Sequence, residues 1–170
     1  DILIDGKSIK NNSLEAKKSF GFVPDSPDMF LKLKGIEYLL FMADIYDVPQ
    51  EKRKEKIEEL TKKFGIYDQL NNQIQSYSHG MRQKIVICGA LLAEPKNWIL
   101  DEPMTGLDPK SSYDLKEMMR EHAKSGKTVF FSTHILEVAE KLCDRVGIIN
   151  NGKLVFVGTF DEMKQKFKEE

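Results

Sequence analysis

Short runs of apolar, β-branched and aromatic residues recur along this 170-residue sequence. Several runs are almost continuously apolar, as expected for strands that are covered on both faces of a sheet. In the second half of the chain they alternate with helical patterns, which favours an α/β fold with a mostly parallel sheet. The runs are "ILI" (2–4), "FGFV" (20–23), "NWIL" (97–100), "TVFFST" (128–133), "RVGII" (145–149) and "KLVFV" (153–157).

Helical patterns and turn signals occupy the intervals between these runs. Thr159 is followed three positions later by Glu162, the spacing of a capping box at a helix start. The tripeptide "NNG" at 150–152 predicts a hairpin between the last two strands. Three helices are predicted in the second half, over residues 110–124, 135–142 and 159–169.

A block of helical sequence interrupts the strands in the middle of the chain. From Gly35 to about Leu92 no strand pattern occurs, and helical segments replace it. We therefore predict a helical subdomain over residues 35–85, inserted into an α/β core that is formed by residues 1–34 and 86–170.

Composition limits the classes of partner. Charged residues make up 31% of the chain, yet the net charge is only -1, so no bulk field favours nucleic acid, and we expect no nucleic-acid partner. The longest apolar run, at 85–93, is far shorter than the roughly twenty residues that span a bilayer, so we expect neither a transmembrane helix nor a signal peptide. Cys88 and Cys143 lie singly in apolar helical patterns, which predicts reduced core residues.

Two fragments imitate the end of a phosphate-binding loop. They are "DGKS" at 5–8 and "GKT" at 126–128. A complete loop requires a glycine five positions before the Gly-Lys pair, but Asp1 and Glu121 stand there. Both fragments are instead predicted to be tight turns, centred on Asp5-Gly6 and Ser125-Gly126.

The segment "NWILDEPMTGLDP" (97–109) carries the strongest chemical signal. Its buried strand ends in Asp101 and Glu102, and ligands of α/β sheets bind beyond such strand ends. Adjacent side chains point in different directions, so one carboxylate can support Mg²⁺ while the other faces an attacking water. On this segment alone, two exposed loop acids remain the alternative.

Two further segments supply groups that suit a phosphate ligand. "FFSTH" presents His134 after another apolar strand. "SYSHGMRQK" places Ser78 and Gly80 at the start of a helix, where a hydroxyl and backbone N–H groups can hold an anion.

In this order the motifs resemble those of the ATP-binding cassette (ABC) ATPases, and the resemblance covers the whole chain. "WILDEP" resembles the Walker B strand with its catalytic glutamate, "GLDP" the D-loop, "STH" the switch histidine and "YSHGM" the signature motif usually written LSGGQ. The resemblance implies a P-loop-type sheet with a helical subdomain, in the nucleotide-binding domain of a transporter with ATP and Mg²⁺ as cofactors.

The resemblance also implies roles for the residues beside the sheet. Asp101 would support Mg²⁺ through water, and Glu102 would act as the general base that polarises the attacking water. His134 would contact the γ-phosphate. Asp25 stands where the family has its Q-loop glutamine, and a carboxylate can still serve a hard cation.

The remaining roles involve a second copy of the domain. Ser78 and Gly80 would reach the γ-phosphate of the partner's ATP across a head-to-tail dimer, and Asp108 would couple the two sites. His79 replaces a glycine of the signature, and we expect His79 and His122 to be structural.

Asp25 and the segment "MRQK" resemble the cassettes of bacterial efflux systems whose membrane domains are separate polypeptides. The resemblance implies a transmembrane permease subunit docked on the Q-loop and helical subdomain, around residues 30–38. It implies a cytoplasmic protein at the inner face of the cell membrane. Soluble cassette ATPases of translation or DNA maintenance, and a non-catalytic fragment, are the alternatives.

The family's phosphate loop, or Walker A region, precedes the strand that matches "ILI" and is not found in these residues. We therefore expect a fragment that is inactive alone and does not bind ATP. The resemblance places the strand of that loop beside the Walker B strand, so we expect an open gap there. Open edges recruit partners, which predicts aggregation, a non-native oligomer or a rearranged sheet.

Overall fold

The computed structural model describes residues 1–168, which contain seven strands and seven α-helices. The strands are β1 (Leu3–Ile4), β2 (Lys7–Ser8), β3 (Phe20–Val23), β4 (Asn97–Leu100), β5 (Thr128–Phe131), β6 (Val146–Asn150) and β7 (Lys153–Gly158). The helices are α1 (Ser13–Lys18), α2 (Gly35–Ile45), α3 (Gln50–Lys63), α4 (His79–Leu91), α5 (Pro109–Lys124), α6 (Leu136–Leu142) and α7 (Phe160–Lys168). Within the described part of the chain, none of these helices has the length and apolarity of a membrane span.

The central sheet consists of β3, β4 and β5, and all three strands run parallel. Their register pairs Val23 with Leu100 and Leu100 with Phe131, so the three carboxyl ends meet at one edge. One face of the sheet is deeply buried, with Trp98 and Leu100 almost inaccessible to solvent. The prediction of a parallel α/β sheet is confirmed.

The expectation of a gap beside the Walker B strand is wrong. The strand that resembles it is β4, and β3 and β5 hydrogen-bond to its two sides. Within residues 1–168 the open edges belong to β3 and β5, which each pair with β4 alone. On the less buried face, Phe22 and Phe130 are 46% and 68% exposed on either side of Ile99. The expected self-association stays a prediction. The exposed side chains of Phe22 and Phe130 support it, because exposed apolar patches are typical of interaction sites.

The turn assignments are confirmed. β1 and β2 form an antiparallel hairpin whose central residues, Asp5 and Gly6, have φ of 51° and 73°, as a two-residue turn requires. "DGKS" is therefore a turn. β6 and β7 form the predicted antiparallel hairpin, in which Asn150 pairs with Lys153. The capping box of α7 is present, with Thr159 N donating to Glu162 Oε2 over 2.8 Å and Glu162 N donating to Thr159 Oγ1 over 3.2 Å.

The middle of the chain is helical, as predicted. α2, α3 and α4 follow one another between β3 and β4, together with short 3-10 turns at Tyr67–Gln69 and Ile74–Ser76. α4 continues to Leu91, so the boundary of the helical subdomain at residue 85 stays a prediction. The chain divides into two compact units, Asp1–Ser132 and the residues from Thr133 onward, and the helical block lies within the first.

Candidate functional site

Acidic and hydroxyl side chains follow the three parallel strands at their common carboxyl edge. Asp25 comes two residues after β3, Asp101 and Glu102 directly follow β4, and Ser132 directly follows β5. The backbone fixes this arrangement, because Asp101 N donates to Val23 O over 2.8 Å and Ser132 N donates to Leu100 O over 3.0 Å. The first unit therefore places these groups at one end of the sheet.

Ser132 links the two carboxylate-bearing residues. Its hydroxyl donates a hydrogen bond to Asp101 Oδ1, and its Oγ accepts one from the backbone N of Glu102 over 2.9 Å. Sequence reasoning missed Ser132 as a site residue, although "FFSTH" places it at the end of a strand. The missing information was the pairing of β4 with β5, which sets Ser132 beside Asp101.

Glu102 has an unusual backbone conformation. Its φ is 43°, in the left-handed region that favours glycine. For an L-residue this conformation costs roughly 1–2 kcal/mol. Such strain persists where the surrounding structure fixes it, and it is common at functional sites. Here it lies in the bend that directly follows β4.

The donor set suits Mg²⁺ delivered with a phosphate ligand. Within residues 1–168 no group of three or more His, Cys, Asp or Glu side chains is arranged to hold a metal on its own. Mg²⁺ is usually held by one or two carboxylates together with water and substrate phosphates. Asp101, with Asp25 at the same edge, offers carboxylates of this kind.

Ser78 and Gly80 occupy the amino end of α4, as predicted. Ser78 caps the helix, because its Oγ accepts a hydrogen bond from Met81 N over 3.3 Å. A Cβ on Gly80 would lie 2.6 Å from the carbonyl oxygen of Gly106, which is closer than such atoms approach. Gly80 therefore permits close contact with the loop between β4 and α5 in the same chain.

Asp108 is engaged within its own chain. It caps α5, with Oδ1 accepting from Ser111 N over 2.9 Å, and its Oδ2 lies 2.8 Å from Lys84 Nζ of α4. Hydrogen bonding from Lys84, and then from Ser111, holds the pKa of the Asp108 carboxyl well below its usual range.

His134 lies in the second unit, in the bend between β5 and α6, and is exposed. The site of the first unit thus comprises Asp25, Asp101, Glu102 and Ser132, and the role of His134 stays a prediction. His122 packs against Trp98, with ring centroids 5.6 Å apart, and burial lowers the pKa of its imidazole. This contact accords with a structural role for His122.

Proteins that are similar to this chain in sequence agree with one another in their descriptions. A family model described as ABC transporter matches residues 1–105. The chain is 35% identical to the ABC-type transporter ATP-binding protein EcsA of Bacillus subtilis, over 98% of this chain and 67% of that protein. It is 31% identical to the linearmycin resistance ATP-binding protein LnrL of the same organism, over 94% and 51%. An uncharacterized ABC transporter ATP-binding protein of Nostoc sp. is 36% identical, over 86% and 44%.

Solved structures agree with these relatives. The ATP-binding subunit of an ABC transporter superposes with a TM-score of 0.91 at 31% identity, covering 97% of this chain and 69% of that one. A subunit of Clostridium perfringens, cbiO1, described as part of the ABC transporter complex cbiONQ, gives a TM-score of 0.74 at 26% identity, covering 98% and 67%. The chain thus spans between 44% and 69% of the length of these proteins.

Proposed function

This chain belongs to the family of ABC transporter ATP-binding proteins, and on that premise we propose that the protein hydrolyses ATP to power export of a substrate across a membrane. The observation that carries the proposal is the group of Asp101, Glu102 and Ser132 at the carboxyl edge of the parallel sheet. Export is favoured by the sequence around Asp25 and by the name of one relative, a linearmycin resistance protein.

Each acidic residue has a separate task in this proposal. Glu102 would accept the proton of the attacking water, while Asp101 and Asp25 would supply carboxylates to Mg²⁺. When bound, Mg²⁺ neutralises charge that develops on the transferring phosphoryl group. The Ser132 hydroxyl donates to Asp101, and its oxygen accepts from the Glu102 backbone, so it ties both residues to the end of β5. His134 would contact the γ-phosphate and position the water.

A second copy of the domain would complete the site. Ser78 and Gly80, at the amino end of α4, would reach the γ-phosphate of the partner's ATP in a head-to-tail dimer. Free backbone N–H groups at this helix end suit an anion. Asp108 would couple the two sites through the adjoining loop.

The permease subunit would dock on the helical block. The aromatic side chain of Phe30, in the loop after β3, lies with its ring centroid 5.4 Å from that of Phe41 on α2. Leu40 and Ile45, also on α2, are exposed apolar side chains as well. An exposed apolar patch of this kind is typical of an interaction site and supports a protein partner at the membrane. We place the protein at the cytoplasmic face and propose no nucleic-acid partner.

The test is ATP hydrolysis by the full-length protein with Glu102→Gln. Removal of a general base is expected to lower kcat by about 10²- to 10⁴-fold. Glu94→Gln is the matched control, because Glu94 also has a positive φ of 48° but lies before β4, at the opposite end of that strand. Full activity of Glu102→Gln would contradict the proposal.

A further inference from the structure

The imidazole of His79 rests on a glycine of the loop between β4 and α5. A Cβ on Gly106 would lie 2.8 Å from His79 Nε2 and still closer to Cδ2. The ring therefore occupies the space that a side chain at position 106 would need. Gly106 also has φ of 76°, which an L-residue adopts only with strain.

Two more contacts join the same segments. Gly80 lies so near the Gly106 carbonyl oxygen that only a residue without a Cβ fits. One turn further along α4, Lys84 pairs with Asp108 over 2.8 Å. The start of α4 and the loop residues 106–108 are thus held together at three successive points within one chain. The contact between the His79 ring and Gly106 needs the ring, so a glycine at position 79 could not form it.

We infer that His79 is a positioning residue that fixes the loop of residues 104–108 to the first turn of α4. This inference rests on the proposed function, because Ser78 and Asp108 are there assigned to the partner's ATP and to coupling between sites. With the ring in place, these two residues keep a fixed relation to each other. Without it, the Lys84–Asp108 pair and the approach of Gly80 to Gly106 remain, but the loop is held less firmly against the helix.

Hydrogen exchange of the 170-residue chain tests the contact directly. Thr105 N and Leu107 N donate to Glu102 O and Met104 O, so their exchange reports opening of the loop. His79→Ala should make both amides exchange about 5-fold faster or more, as loss of about 1 kcal/mol of packing predicts. Gly126 N, which donates to Ala123 O in a separate turn, should keep its rate. Unchanged exchange at Thr105 and Leu107 would overturn the inference.

A pair of glycine substitutions isolates the ring contact from backbone strain. Gly106→Ala and Gly126→Ala both place a Cβ at positive φ, but at Gly126, with φ of 82°, nothing lies within 4 Å of the new atom. Gly106→Ala should therefore lower the urea midpoint further than Gly126→Ala does. In the His79→Ala background this excess should disappear, because the ring is gone. An excess that persists without the ring would contradict the contact.

The functional arm uses ATP hydrolysis by the full-length protein. His79→Ala should lower kcat severalfold while KM for ATP stays within about twofold, because the substitution disturbs orientation and not the ground-state binding of nucleotide. Faster loop exchange with an unchanged kcat would overturn the positioning role. The hydrogen-exchange and denaturation experiments need no nucleotide. A wild-type protein without ATPase activity would therefore overturn the proposed function, while those two experiments would still decide whether His79 contacts Gly106.

Discussion

At the residue scale, Glu102 combines a demanding backbone conformation with the position assigned to the general base. Its φ of 43° places an L-residue where glycine is preferred. The neighbouring hydrogen bond from its backbone N to Ser132 Oγ holds this conformation. Glutamate at a position where the backbone favours glycine lowers the stability of the fold somewhat, but it places a carboxylate at the site.

This conflict predicts that glycine at position 102 gives a more stable fold than alanine does. Glu102→Gly and Glu102→Ala both remove the carboxylate and its interactions, but only glycine relieves the left-handed strain. We expect the glycine variant to be about 1 kcal/mol more stable than the alanine variant, after allowance for its more flexible unfolded state. Urea denaturation of the two variants measures the difference. Equal stabilities would contradict a strain that exceeds the entropic cost of glycine at position 102.

At the element scale, Asp108 connects α4 to the start of α5. Its carboxylate accepts from the backbone N and the hydroxyl of Ser111 in the first turn of α5, and it pairs with Lys84 from α4. A side-chain cap satisfies a backbone N–H that has no partner within the helix. The side chain is 50% exposed, so solvent weakens the ion pair, and the cap is the larger structural contribution.

The lowered pKa of Asp108 predicts a pH-dependent contribution to stability. A carboxyl whose folded pKa lies below its unfolded value of about 3.9 stabilises the fold above that pH, and the contribution declines as the pH falls further. Asp108→Asn keeps a capping oxygen but removes the titration. The difference in unfolding free energy between wild type and Asp108→Asn should therefore be constant above about pH 5 and shrink below about pH 4.

Chemical denaturation from pH 2.5 to 7 measures this difference for Asp108→Asn and for a control, Asp114→Asn, which removes the same charge from α5 outside its cap. Asp108→Ala should in addition lose about 1 kcal/mol at neutral pH, because the cap itself is removed. A difference between wild type and Asp108→Asn that grows as the pH falls would contradict the assigned ion pair.

At the scale of the whole molecule, the two Gly-Lys fragments have folded into turns and not into a phosphate cradle. Asp5-Gly6 joins β1 to β2, and Gly126, with φ of 82°, lies in the turn before β5. In P-loop enzymes the loop's N–H groups and its lysine make most of the phosphate contacts. The complete loop pattern does not occur in residues 1–170.

We therefore predict that these 170 residues alone have no sub-millimolar affinity for Mg-ATP. Isothermal titration calorimetry of the chain measures this, with the full-length protein as the positive control. Sub-millimolar binding by the chain alone would mean that the carboxyl edge of the sheet grips the nucleotide without a phosphate loop.

The sequence by itself determined the local elements and the order of the motifs. β3 and β4 begin and end where their apolar runs do, and the hairpin turns and the α7 cap form where the turn and capping residues predict. These features depend on residues a few positions apart, so a one-dimensional pattern contains them. The same holds for the family, because its motifs are short and ordered.

Only the tertiary structure decided which residues meet across long separations. It placed β5 directly against β4, which brought Ser132 to Asp101, and it laid the ring of His79 on Gly106. It also formed α1, a six-residue helix without an apolar stripe whose one buried residue is Ala16. The physical reason is that strand pairing and close backbone approach depend on the packing of segments far apart in sequence. The local periodicity of apolar residues in the sequence contains no information about that packing.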